Sequence, residues 1–153
     1  MDQKLIYSWY EQYKNGIFRY ALSITKDSHL AEDVLQDTFL KVLSGARPRN
    51  PDAIQAWLYR IARNICFDRL RRRKKEEPRD QIASEEGDRY AYTDLISSLS
   101  DREKEIVTLK IIGGLTHREI GAVLGISAAA AQKRYERAIA ALREEEDTNG
   151  TKT

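Results

Sequence analysis

Residues 116–143 read THREIGAVLGISAAAAQKRYERAIAALR, and the punctuation of this stretch decides the fold. Thr116 can cap a helix, and Glu119 three residues on completes a capping-box pattern. Ile120 and Leu124 fall on one face of that short helix. Gly125 permits the positive φ of a sharp turn, Ile126 buries beneath it, and Ser127 can cap the next helix. There Ala131, Tyr135, Ala138, Ile139 and Leu142 form an inner face, and Gln132, Lys133, Glu136 and Arg137 an outer one. A short helix, a glycine turn and a polar-faced second helix make a helix-turn-helix, whose second helix can enter a major groove.

Outward from this motif the helical period recurs and strand signals are weak, because Val is rare and no useful length alternates apolar with polar. A first helix is expected over about 2–25, with Leu5, Trp9, Tyr13, Ile17, Tyr20 and Ile24 advancing by three or four. TKDSH breaks it, with Asp27 or Ser28 as the next N-cap. The second helix reaches about Ser44 and carries Ala31, Val34, Leu35, Thr38 and Val42 on one side. SGARPRNPD, with Gly45, Pro48 and Pro51, is a loop, and Asp52 can cap a third helix over 53–75. Residues 76–92 hold Pro78, Gly87 and most of the acidic excess, the composition of a flexible connector. A second helical unit follows over 93–146, and 147–153 is expected to be a disordered tail. The fold class is therefore all-α: two small helical domains joined by an acidic linker.

A chain of 153 residues suits one domain or two small ones, and Leu, Ile, Val and Phe at about 23% suffice for a core but not a large one. The lone Cys66 excludes a disulfide framework. His29 and His117 lie too far apart to suggest a metal cage, so neither metal nor cofactor is expected. No apolar run approaches membrane-spanning length, and MDQKLIYSWYEQ lacks the basic and apolar segments of a secretion signal. A soluble cytoplasmic protein is the expectation. The formal net charge of +2 conceals a division along the chain. Residues 1–75 carry 15 basic and 8 acidic side chains, 76–100 carry 2 and 7, and 101–143 carry 8 and 5. Two basic blocks flanking an acidic connector point to nucleic-acid contact.

Two further motifs carry chemistry. In the third helix, AIQAWLYRIARNICFDRLRRRKK, the residues Trp57, Leu58, Ile61 and Ile65 face inward. Arg60, Arg63, Asn64, Phe67 and Arg71 share another face, and a stripe of Arg and Asn with an aromatic can hold phosphates and stack unpaired bases. In AEDVLQDTFLKVL of the second helix, Asp33, Gln36, Asp37 and Leu40 cluster away from Val34 and Val42. An acidic face in a basic domain would be repelled by DNA, which makes it a candidate for docking a protein. No nucleophile, base and orienting partner come together, and no Gly-rich phosphate loop occurs, so no enzyme is expected.

These motifs together resemble the extracytoplasmic-function (ECF) group of bacterial RNA polymerase sigma factors. AEDVLQDTFLKVL resembles the family's polymerase-binding helix in region 2. WLYRIARNICFDRLRRRKK resembles its −10-reading and melting helix, and LSDREKEIVTLKIIGGLTHREIGAVLGIS the start of region 4. The resemblance covers about 10–143, in family order and spacing. It implies core RNA polymerase, promoter DNA and an anti-sigma factor as partners. It also implies docking through Asp33, Gln36, Asp37 and Leu40, and −10 contact through Arg60, Arg63, Asn64, Phe67 and Arg71. For −35 contact it points to Arg118, Ala130, Gln132, Lys133, Glu136 and Arg137, with Lys110 as a further backbone candidate. The loop SGARPRNPD matches the segment that receives a flipped base. Ala129, Ala130, Ala131 and Gln132 stand where the family commonly has Gly-Thr-Val and then Lys or Arg, and Gly121 where Ala is usual, which bears on −35 reading. The reading from another class is a stand-alone helix-turn-helix regulator that binds duplex DNA without polymerase.

Overall fold

The computed structural model describes residues 3–75 and 94–150, and every regular element among them is helical. The acidic connector expected over 76–92 lies outside the described residues. Helices α1 (Gln3–Thr25) and α2 (Ser28–Leu43) form a hairpin. Its corner is tight because Lys26 takes a left-handed backbone, φ 56°, while its amide donates to Leu22 O at 2.8 Å. The Asp27 carboxylate then accepts the amides of His29 and Leu30 at 3.0 and 3.2 Å, the N-cap expected there.

The start of the third helix differs from expectation. Asn50, not Asp52, is the cap: its side chain accepts the Asp52 amide at 3.0 Å and opens a 3₁₀ turn over Pro51–Ala53. Pro51 at the first position lacks an amide to satisfy, which suits it to that place. Helix α3 follows as Ile54–Lys75.

In the second unit, Ser100 and Glu103 exchange backbone and side-chain bonds at 3.0 and 3.2 Å, a capping box that starts α4 (Asp101–Val107). The helix widens into a π turn over Thr108–Ile112. After α5 (His117–Leu124) comes α6 (Ala128–Gly150). Helix α6 thus takes in Asp147–Gly150, where a tail was expected; the run of glutamates before it favours helix.

Within α1 the buried line is Ile6, Trp9, Ile17, Tyr20 and Ala21. Leu5, assigned inward from its spacing, is instead 44% exposed, because the neighbouring Ile6 takes the core position. The inward residues expected of α2 are buried, joined by Phe39. In α3, Leu58 and Ile65 are buried as expected, whereas Trp57 and Ile61 are only half-buried.

The two units are not separate bodies. One apolar cluster runs from Ile17, Leu58 and Ala62 through to Ile106, Leu109 and Ile120. Helix α3 lies along α5, and α1 along α4 and the π turn. Burial at this seam gives the small domains a larger shared core than either could build alone.

Candidate nucleic-acid interface

The helix-turn-helix is built as its punctuation dictates. Thr116 Oγ1 accepts the Glu119 amide at 3.1 Å, and Glu119 accepts the Thr116 amide at 3.0 Å. Gly125 takes φ 73°, and Ser127 Oγ accepts the Ala130 amide at 3.1 Å. The amides of Gly125 and Ile126 both close onto Gly121 O, at 2.8 and 3.0 Å. The turn is so tight that a Cβ on Gly121 would come within 2.5 Å of Ile126 O.

On α6, Ala131 and Ala138 are buried and Tyr135, Ile139 and Leu142 half-buried, while Gln132, Lys133, Glu136 and Arg137 are exposed together. Gln132 Nε2 donates to Glu136 Oε1 at 3.1 Å, which restrains the amide on the helix surface. One amide hydrogen and the carbonyl oxygen of Gln132 remain for a base edge. Arg118 and Ala130 are also exposed. The first turn of α6 offers solvent only the methyl groups of Ala128, Ala129 and Ala130.

A second candidate surface is the cleft between the 44–53 loop and α3, about 550 Å³ in volume. Arg47, Arg49 and Asn50 line one side, and Trp57, Arg60, Ile61 and Asn64 the other. Trp57 and Ile61 therefore form a floor, which is why they stay half-buried. Arg47 is anchored by donating to Ala46 O at 2.7 Å and Val42 O at 3.2 Å, so it also closes the C-terminal end of α2. A cleft of this size with an apolar floor and a cationic rim can take a planar base and its phosphate. The segment is irregular over 44–50, as Gly45 and Pro48 imply, and turns into the 3₁₀ helix at Pro51; Arg49 and Asn50 carry no periodic signal that would mark them as lining a cleft.

The structure brings the −10 candidates onto one side of α3 but leaves them unequally free. Asn64 and Arg71 are exposed, Arg71 reaching Asp68 at 3.5 Å. Arg60 Nη1 donates to Ala122 O of α5 at 3.0 Å. Arg63 Nε donates to Glu105 Oε1 of α4 at 2.6 Å, and its guanidinium lies 4.7 Å from the ring centre of Phe67. Burial works against the Arg63 charge, but the hydrogen bond and charge of Glu105 more than offset this and hold its pKa above the ordinary value. Glu105 also accepts from Tyr20 Oη at 2.7 Å. Neither Glu105 nor Tyr20 was marked by any local pattern as belonging to this side of α3.

The docking candidates lie on α2. Asp33, Gln36 and Leu40 are exposed and Asp37 is half-buried, ion-paired with Arg69 of α3. Beside them an apolar groove of about 570 Å³ runs between α1 and α2, lined by Tyr7, Tyr10, Phe39, Leu40 and Leu43. Exposures of 65% for Tyr7 and 58% for Leu40 are high for such side chains and mark a surface suited to a protein partner.

Residues 9–76 match the family model for sigma-70 region 2, and residues 89–142 that for sigma-70 region 4. The ECF RNA polymerase sigma factor SigM of Bacillus subtilis is 31% identical over 137 residues, covering 78% of this chain and 82% of the relative. The chain belongs to the ECF RNA polymerase sigma factors. SigV of Bacillus subtilis, an RNA polymerase sigma factor, is 30% identical over 86% of this chain and 84% of its own. The fold agrees with that of CnrH, solved in complex with the cytosolic domain of CnrY, at a TM-score of 0.71 and 27% identity. That match covers 96% of this chain and 90% of CnrH. As a sigma factor the protein acts in transcription initiation, with RNA polymerase at promoter DNA. Membership of this family disfavours a stand-alone helix-turn-helix regulator, which would not need region 2. No helix among the described residues is long and apolar enough to cross a membrane, and no group of three or more His, Cys, Asp or Glu among them could hold a metal ion.

Proposed function

We propose that this sigma factor opens its promoters by capturing a −10 base in the cleft between the 44–53 loop and α3. The cleft carries the reading: it sets an Asn beside cations over an aromatic floor. Extracting a base from the stack costs a few kcal/mol. Asn64, whose amide both donates and accepts, recovers part of this at the base edge, and Arg60, Arg63 and Arg71 recover more at phosphates. Phe67 stacks on an adjacent base. The exposed face of α6 reads the −35 element through Gln132 and Glu136, with Lys133, Arg137 and Arg118 on phosphates and Ala130 against the groove wall. Asp33, Gln36, Asp37 and Leu40, with the apolar groove beside them, dock on core polymerase. None of these roles makes or breaks a covalent bond in the sigma factor, and its place of work is the cytoplasm. The complex of CnrH with CnrY supports a protein regulator here too, an anti-sigma factor.

The deciding experiment is promoter opening by holoenzyme carrying Asn64→Ala. Opening of duplex promoter should slow, a pre-opened bubble should restore much of the rate, and affinity for core polymerase should stay unchanged. Opening as fast as the parent's on duplex DNA would exclude Asn64 from strand capture.

A further inference from the structure

We propose that the polar pocket between α1, α3 and the π turn is a binding site for a small oxyanion that also carries hydroxyl groups. The pocket has a volume of about 360 Å³ and shares no lining residue with the base-sized cleft or the apolar groove.

Its walls are polar and unpaired. Gln12, Tyr13, Asn15 and Arg19 reach it from α1, and Tyr59 from α3. On α1, Gln12, Asn15 and Arg19 follow at steps of three and four, so they share one face. None of these five side chains has a hydrogen-bond or ion-pair partner among the described residues. Gln55 also lines the pocket, but its Nε2 donates to Gly113 O at 2.5 Å and fixes that edge.

Tyr59 distinguishes this pocket from an ordinary surface dent. It is 1% exposed, so its hydroxyl is withdrawn from bulk water. A Cβ on Gly16 would collide with Tyr59 Oη, and one on Gly113 would come within 3.2 Å of it. Two glycines thus clear the slot in which the hydroxyl sits. Glycine inside a helix is destabilising, and this clearance explains its place in the middle of α1. Given that room, the hydroxyl still bonds to nothing in the protein. A buried hydroxyl without a partner is costly, and an acceptor on a ligand would remove the cost.

The free groups are mostly donors. Arg19 is exposed at the rim and presents a fork that grips a carboxylate or phosphate through two bonds. Burial, and after it the charge of Glu119, holds the Tyr13 hydroxyl above its ordinary pKa. Burial, and after it Tyr13, raises that of Tyr59. Both hydroxyls therefore keep their protons and donate. No carboxylate lines the pocket. The amides of Gln12 and Asn15 both donate and accept, which suits the hydroxyls of a ligand. The charge of Glu119 that reaches Tyr13 opposes an anion, so the Arg19 guanidinium must outweigh it. The volume lies near the lower end of ligand sites, ~300–1,000 Å³, which fits a ligand of few carbons.

The probes are glycerate and glycerol 3-phosphate, titrated separately into the isotope-labelled full chain and followed by NMR. They share three carbons and hydroxyls, and tell a carboxylate from a phosphate. One or both should shift the amide resonances of Gly16 and Gly113 saturably, with a dissociation constant of about 1 mM or below. Tyr59→Phe should weaken binding about fivefold or more and leave the melting temperature unchanged or higher, since the lost hydroxyl bonds to nothing in the protein. Arg19→Gln should abolish binding. Shifts confined to Arg71, Arg72 and Arg73 would show anions held only by the basic end of α3 and would overturn the site. So would the absence of shifts at Gly16 and Gly113 with both probes at ~20 mM, or binding at the parent's strength by either variant.

Discussion

Arg69 of α3 is ion-paired with Asp37 of α2, and the same guanidinium comes within 4.0 Å of Asp33. The carboxylates proposed to meet polymerase are thus braced from behind by the helix proposed to meet DNA. Each partner of the Arg69–Asp37 pair is about one-third exposed. Such a pair adds ~1 kcal/mol or less to stability, so its value lies in orientation. Asp37→Asn should leave the melting temperature nearly unchanged yet weaken core binding by ~1.5–3 kcal/mol, the usual worth of a charge-assisted contact. A titration with core polymerase that gives the parent's affinity would take Asp37 off the docking face.

The Gln132–Glu136 bond makes a paired prediction for the −35 element. Gln132→Ala should lose ~1–3 kcal/mol and relax discrimination at one base position. Glu136→Ala frees the amide it restrains and should relax the same position by less. Lys133→Ala should weaken all −35 sequences evenly and flatten the salt dependence. Binding of holoenzyme to a set of single-base −35 variants checks all three; equal losses for Gln132→Ala across the set would show that it positions rather than reads.

Gly121→Ala sets two effects against each other. Alanine in a helix is favoured over glycine by about 1 kcal/mol. Against this, the added methyl meets a backbone carbonyl, Ile126 O, that cannot swing aside, and overpacking of this kind costs typically ~1–3 kcal/mol. The clash should win, lowering the melting temperature and loosening the turn. A higher melting temperature would show that α5 and α6 can separate slightly at no cost.

Alkaline pH should destabilise the fold. Burial pushes the Cys66 thiol up to about 12 from an ordinary 9.0, and burial likewise raises the Tyr20 and Tyr59 hydroxyls above 10.0. In each case the folded chain keeps a proton that the unfolded chain releases, so the stabilisation is intact below about pH 9 and is lost progressively toward 12. Urea midpoints at pH 8 and pH 10.5 should differ in that sense. At pH 8 native Cys66 should resist thiol reagents that label the unfolded chain at once.

What was legible in the sequence was local. The Thr116–Glu119 box, Gly125 and Ser127 act within three or four residues, and each does in the structure what its spacing implies. The cap of the third helix was misplaced by two residues because Asp52 and Asn50 are both good caps, and only the 3₁₀ turn at Pro51 decides between them. Trp57 and Ile61 read as core because helical period cannot separate a core from the floor of an open cleft. The seam was invisible: Glu105 looks like any helix-surface glutamate until Tyr20 and Arg63 arrive from other helices.

The bare methyl surface of Ala128, Ala129 and Ala130 has a consequence for how much information this protein can extract from a promoter. Methyl groups can rest on thymine methyls but form no hydrogen bond to a base edge. On the −35 contact proposed for α6, direct choice is left to about two side chains, worth together a factor of roughly 10²–10⁴ between right and wrong sequences. A genome offers about 10⁶–10⁹ competing sites. On that proposal upstream recognition alone is too lenient to find a promoter, and most of the selectivity would be exercised at the moment a strand is opened.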